Sequence, residues 1–262
     1  MEPRLNFTKK DMVVVLACVV LLLMNISAIG TSGRERAKRS VCLVNLKQLT
    51  TAWSLYANDN DGFIVNGAAG IYRLGENPWV GKCWYDPYGG GQLPTKEELQ
   101  AEIRKGALWS YCKSLGLYRC GTGRAAEVLN YAIVDSMNGY PQPGNTHGRG
   151  PVDTLIIKNK EQIESPPLRA VFIDQWFATP DSYAVHYDRE LWWDPPPVQH
   201  NDGATLSFAD GHTEYWKWKG RDTIAAGKMT NPPSHFSPTT PAGREDLHRM
   251  QIAVWGRLGY SP

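Results

Sequence analysis

From Met12 to Gly30 the chain carries no charged side chain, and only Asn25 and Ser27 are plainly polar. Coiled at 1.5 Å per residue, this stretch reaches about 28 Å, close to the hydrocarbon thickness of a bilayer. A buried core helix is one use for such a run. Val13 to Met24 are apolar on every face, however, and lie at the N-terminal end. A cleaved signal peptide is another, with Lys9 and Lys10 as its basic region and Ala28-Ile29-Gly30 as a small-x-small cleavage site. The length favours a third, a transmembrane helix over residues 12–30 behind a short flank at 1–11. A single-pass protein of an inner membrane follows, with a lipid bilayer as partner and a periplasmic or extracellular head. Flanking charge leaves the orientation open, because Arg4, Lys9 and Lys10 precede the run while Arg34, Arg36, Lys38 and Arg39 follow it.

The remaining chain suits one head rather than two. Its charges are mixed, the formal net charge is +2 and no basic stripe is present, which argues against nucleic acid as a partner. Glycine (25) and proline (18) are plentiful and periodic stretches are short after residue 60, as in a β-rich, loop-rich head. Cys18 falls in the apolar run, leaving Cys42, Cys83, Cys112 and Cys120 in the head, with no CxxC spacing among them. An even set of this kind reads as two disulfides formed in an oxidising compartment; four unpaired thiols are the alternative.

Cys42, Leu46, Leu49, Trp53 and Tyr56 step by 4, 3, 4 and 3, one apolar stripe that predicts a helix over 31–57 continuing the apolar one. Lys47, Gln48 and Thr51 fall off the stripe. Asn58-Asp-Asn-Asp-Gly62 ends it, with Gly62 or an Asn free to take positive φ. The acidic run is no calcium loop, since Ala57 and Ala68 stand where ligands are required. Asp86-Pro-Tyr-Gly-Gly-Gly91 is turn-forming. Thr95 with Glu98 makes a capping box for a short helix running to Ile103, and Gly106–Tyr111 reads as another short helix or turn. Gly121–Ala126 superficially matches a dinucleotide-binding GxGxxA, but no apolar strand precedes it.

Strand signals come late, at 169–176, 204–209 and 212–218. Asp210-Gly211 joins the last two as a type I′ hairpin with positive φ at both residues. Leu247, Met250, Val254 and Trp255 predict a C-terminal helix over 244–256 packed on the sheet. The predicted class is α+β: a long N-terminal helix with a membrane-spanning first half, packed on an antiparallel β-sheet head at 58–262.

His200, nine further residues and then Asp210-Gly211 resemble the His-x9-Asp-Gly motif of prepilin-type processing-associated proteins. Cys42-Leu-Val-Asn-Leu-Lys-Gln-Leu49, running on to Gly62, looks like the post-anchor segment of that family. Gly106-Ala-Leu-Trp through Tyr118-Arg-Cys120 is similar to a third block, where the family usually has Cys-Pro. The resemblance extends to about Trp218. It implies a likeness to type II secretion pseudopilins and type IV pilins, with a long helix against an antiparallel sheet. It also implies that Cys42 pairs with Cys120, leaving Cys83 with Cys112. In this pattern Asp11 takes the place of the anchor acid. Asn6 stands before Phe7 where a prepilin has Gly, and Lys9 and Lys10 replace apolar residues, which argues against processing at that point.

No nucleophile elbow, His-Glu-x-x-His or P-loop is present, so neither an enzyme nor a cofactor is expected. Asp174, Asp188 and Asp194 are scattered among aromatics with nothing to pair any two of them. His200, Asp210 and His212 converge on a metal if the hairpin brings them together; hairpin chemistry alone accounts for them otherwise, and no metal is expected. The function implied is a pilin-like structural or accessory protein of a type II secretion or type IV pilus-like system, able to self-associate. The second hypothesis is a membrane-anchored module that binds carbohydrate or a partner protein through a Trp-rich surface, Trp192 and Trp193 foremost.

Overall fold

The computed structural model describes residues 8–83, 94–123, 126–139, 155–175, 181–229 and 235–262, leaving out the side chains of 22–32. The Asn6-Phe7 junction, the side chains of Ala28-Ile29-Gly30, the Asp86–Gly91 turn, part of the Gly121–Ala126 run and Trp176 lie outside what is described. The chain divides into two compact units, Met1–Lys38 and Arg39–Pro262.

Helix α1 spans Lys9–Asp59. It starts at Thr8, whose hydroxyl accepts a hydrogen bond from the Asp11 amide (3.3 Å), while the Asp11 carboxylate accepts from the amide (2.8 Å) and hydroxyl (2.7 Å) of Thr8. These reciprocal bonds satisfy donors that a helix start leaves open. The Thr8 hydroxyl, then its amide, hold the exposed Asp11 carboxyl below its ordinary range. Asp11 is thus a helix cap. Among the described residues no helix is long and apolar enough to cross a membrane. This corrects the expected membrane-spanning first half, the transmembrane helix over 12–30 and the single-pass inner-membrane placement.

In the second unit, α1 buries the predicted stripe: Cys42, Leu46, Leu49 and Trp53 are fully enclosed and Tyr56 is half-buried, while Lys47, Gln48 and Thr51 face out. The helix stops where expected. Asp61 and Gly62 take φ of 53° and 81°, and the Gly62 amide closes back onto the Ala57 carbonyl at 2.8 Å.

Four strands, β1 (Tyr131–Ile133), β2 (Ala170–Asp174), β3 (Gly203–Phe208) and β4 (Thr213–Lys217), form one antiparallel sheet in the order 1-2-3-4. Every residue of β1, β2 and β3 is buried, so both faces of the sheet centre are covered. Helix α1 crosses it. Asn45 reaches the Tyr131 hydroxyl on β1 (3.5 Å), Thr50 meets Ser207 on β3 (2.6 Å), and the Arg39 guanidinium sits 4.0 Å over the Tyr215 ring on β4. The head therefore is α+β with an antiparallel sheet, as the strand signals predict.

The β3–β4 connection differs from expectation. Gly211 has φ of 93° but Asp210 is not in the positive-φ region, so the turn is not type I′. Gly211 donates to the Phe208 carbonyl (2.8 Å) and Phe208 to that of His212 (3.0 Å), giving a three-residue loop with Gly211 in the bulge position. The cause is local: the Asp210 carboxylate accepts from the His212 amide at 3.1 Å and lies 2.5 Å from its Nδ1, a bonded turn that positive φ at Asp210 does not need.

Helix α2 (Lys96–Lys105) carries the predicted Thr95–Glu98 capping box, and a single turn, α3 (Trp109–Cys112), follows it. Helix α4 (Arg221–Lys228) precedes α5 (Pro241–Trp255), which starts at Thr240 with Pro241 in its first turn and ends at Gly256 with φ of 80°. Leu247, Met250, Val254 and Trp255 are buried, and Arg169, just before β2, donates to the Val254 carbonyl at 2.9 Å. The predicted C-terminal helix is therefore docked on the head.

Candidate functional site

Four chemically competent side chains meet below the surface of the head. Cys42 opens the buried stripe of α1. Cys120 follows a 3-10 turn at Leu115–Tyr118. Asp174 is the last residue of β2, and His200 sits in the turn leading into β3. All four are buried. That turn is tightly specified: Asn201 and Asp202 both take left-handed backbone (φ 57° and 64°), the His200 amide bonds the Gly203 carbonyl at 3.3 Å, and a Cβ on Gly203 would lie 2.3 Å from the Trp216 carbonyl oxygen. The backbone thereby directs the His200 ring inward.

The sulfurs of Cys42 and Cys120 lie 2.7 Å apart. His200 Nε2 stands 3.2 Å from Cys120 Sγ and 3.4 Å from Asp174 Oδ2. The other oxygen of Asp174 accepts from the Thr205 amide at 2.8 Å. The hydrogen bond from Cys120 holds Cys42 below the ordinary thiol range, while that same bond, together with burial, pushes Cys120 up to about 12. Burial pushes Asp174 up to about 7, against the pull of His200. A cleft lined by Cys120, Thr122, Asn130, Asp174 and Gln199 opens onto this group.

In a proton relay, the two imidazole nitrogens face different partners, one toward the nucleophile and one toward the carboxylate. Here a single nitrogen faces both the thiol and the carboxylate. The arrangement is a convergence of donor atoms: Cys42, Cys120 and His200 each offer one, all within 4.8 Å of one another.

His200 does not converge with Asp210 and His212. His200 and Asp210-Gly211 sit at opposite ends of β3, whose six residues span about 20 Å. Asp210 and His212 pair with each other at the partly exposed hairpin. The nine-residue spacing of the motif is the length of a strand with its turns. In this structure no S–S bond joins Cys42 to Cys120 or Cys83 to Cys112. The first two are brought together; Cys112 instead donates to the Leu108 carbonyl (3.2 Å) and lies 3.0 Å from the Tyr118 hydroxyl.

Trp192 and Trp193 do not form an exposed platform. Trp192 is fully buried with its ring edge-on to Trp218 at 5.8 Å, and Trp193 is half-buried between the rings of His186 and His235, at 5.2 and 4.4 Å. Alternation along an irregular segment cannot tell which of two adjacent tryptophans turns inward. The sequence reading noted Asp174 but gave it no partner, because nothing local pairs it with residues 54 before it or 26 after it. Its one signal is an acid closing an otherwise apolar strand.

Compared with protein-family models, with curated proteins and with solved structures, the chain matches none.

Proposed function

We propose that the chain is a pilin-like structural or accessory subunit of a type II secretion or type IV pilus-like system, of the His-x9-Asp-Gly kind. One observation carries this reading: the second part of a 51-residue helix is buried along one stripe across a four-stranded antiparallel sheet. That stripe, Cys42 to Ala57, makes the helix the core element of the head. Met12, Val13, Leu16 and Leu21 on α1 are each at least 60 % exposed, an apolar surface suited to parallel packing with copies of the same helix. This reading assigns no catalytic step to the buried cluster. It takes the motif as architecture, its histidine and Asp-Gly bounding one strand.

Cys18 lies within that apolar stretch and is exposed. Treatment of the full chain with a thiol-specific bifunctional reagent is expected to link copies through Cys18, and Cys18→Ser to abolish the product. A chain that remains monomeric under these conditions and in size-exclusion chromatography sinks the reading.

A further inference from the structure

We propose that Cys42, Cys120 and His200 form a zinc site whose fourth ligand is the carboxylate of Asp174, 3.4 Å from the imidazole. This does not depend on the pilin-like reading. The donor set comes from four separated stretches, α1, the loop after Tyr118, the end of β2 and the turn before β3. Two sulfurs, one imidazole nitrogen and one carboxylate oxygen are the borderline-soft set that zinc takes, and four is its usual coordination number.

Three of the four donors, those of Cys42, Cys120 and His200, already lie within 4.8 Å of one another, and the Asp174 carboxylate beside His200 completes the shell by moving toward the sulfurs. Bonds of about 2.3 Å to sulfur and about 2.0–2.2 Å to nitrogen and oxygen place tetrahedral donors roughly 3.4–3.8 Å apart. Nε2 already stands 3.2 Å from Cys120 Sγ and 3.4 Å from Asp174 Oδ2. The sulfurs, at 2.7 Å, must part by about 1 Å, a movement of the size one side-chain torsion supplies. Orientation is set from behind. The Thr205 amide holds Asp174 Oδ1 and leaves Oδ2 facing the imidazole. Bound zinc ties α1 to the sheet. The cleft at Cys120 and Asp174 is the entry path.

A direct Cys42–Cys120 disulfide is the competing use of the same sulfurs, and the test separates the two. The full-length protein, reduced and freed of reductant without oxygen, is titrated with Zn²⁺ against a chromophoric chelator and with Co²⁺ as a spectroscopic substitute. One equivalent of metal is expected to bind, with thiolate-to-cobalt charge transfer and the intense visible bands of a tetrahedral ion. Cys120→Ser and His200→Ala are expected to lose affinity by about 100-fold or more, and Cys83→Ser and Cys112→Ser to keep it. Zinc-edge X-ray absorption on the unaltered protein, which needs no variant to fold, should show two sulfur and two lighter ligands. No uptake by the reduced protein overturns the proposal, and so does uptake undiminished in Cys120→Ser or a shell without sulfur.

Discussion

The hydroxyls of Thr50 and Ser207, 157 residues apart, meet at 2.6 Å and join helix α1 to strand β3. The contact belongs to a buried chain of bonds. The Phe172 amide donates to Ser207 Oγ at 3.3 Å, and Thr50 Oγ1 bonds the Leu46 carbonyl at 2.8 Å. Phe172 needs that side-chain acceptor because β2 slips register between Ala170 and Phe172, a bulge that takes its amide out of the regular ladder.

Ser207→Ala strands the Phe172 amide and takes one partner from the Thr50 hydroxyl, which keeps the Leu46 carbonyl, so a loss of about 1–3 kcal/mol is expected; Thr50→Val, which leaves Ser207 its bond to Phe172, should cost about 1 kcal/mol. Urea unfolding of both single variants and the double variant measures this. A double variant as unstable as the sum of the singles would show that the two hydroxyls are not coupled.

Gly211→Ala isolates the backbone of the hairpin, because a Cβ there meets nothing within 4 Å. The left-handed conformation alone sets the cost, about 1–2 kcal/mol. Asp210→Ala should be milder, since it removes only partly exposed bonds to the His212 amide and imidazole. Thermal midpoints of the two variants give the comparison, and equal losses would argue against the three-residue loop.

Asp222 gathers the amides of Thr239 (2.7 Å) and Thr240 (2.8 Å), the Thr240 hydroxyl (2.7 Å) and the Thr223 amide (3.1 Å), fastening α4 to the start of α5. Burial works against its charge, but the hydrogen bonds from Thr240, Thr239 and Thr223 outweigh it and lower its pKa to about 2, from 3.8. A depressed carboxylate stabilises the fold fully above its unfolded value and loses that contribution as pH falls from about 4 toward 2. Asp222→Asn should flatten this part of the stability curve and, screened by solvent, cost about 1 kcal/mol at pH 7. Urea midpoints between pH 2 and 7 that fall equally in both proteins would count against it.

Trp192→Ala empties a fully buried site beside Trp218 and should cost about 3–5 kcal/mol. Trp193→Ala, at a half-buried position, should cost less than half as much. Comparable losses at the two positions, measured by calorimetry, would contradict the burial pattern.

Much of the frame was legible from local chemistry. The stripe from Cys42 to Tyr56, the stop at Gly62, the Thr95–Glu98 cap, the strands of the hairpin and the helix ending at Gly256 all follow from contacts a few residues apart. The turn at Asp210 was misread because a side-chain bond to His212 competes with the backbone preference of Asp-Gly. The apolar N-terminal run was read from its length alone. Among the described residues no helix is long and apolar enough to cross a membrane.

The sequence by itself determined the buried stripe, the caps and the late strands, because caps, turns and periodicity are short-range, while β1 (Tyr131–Ile133) and α4 (Arg221–Lys228) carried no such signal. Only the tertiary structure decided which distant groups meet. Cys42, Cys120, Asp174 and His200 come together because β2 and β3 pair antiparallel and α1 lies across them, and no local pattern encodes that long-range pairing. The same packing separates His200 from Asp210 by the length of one strand and turns Trp192 inward while its neighbour stays at the edge.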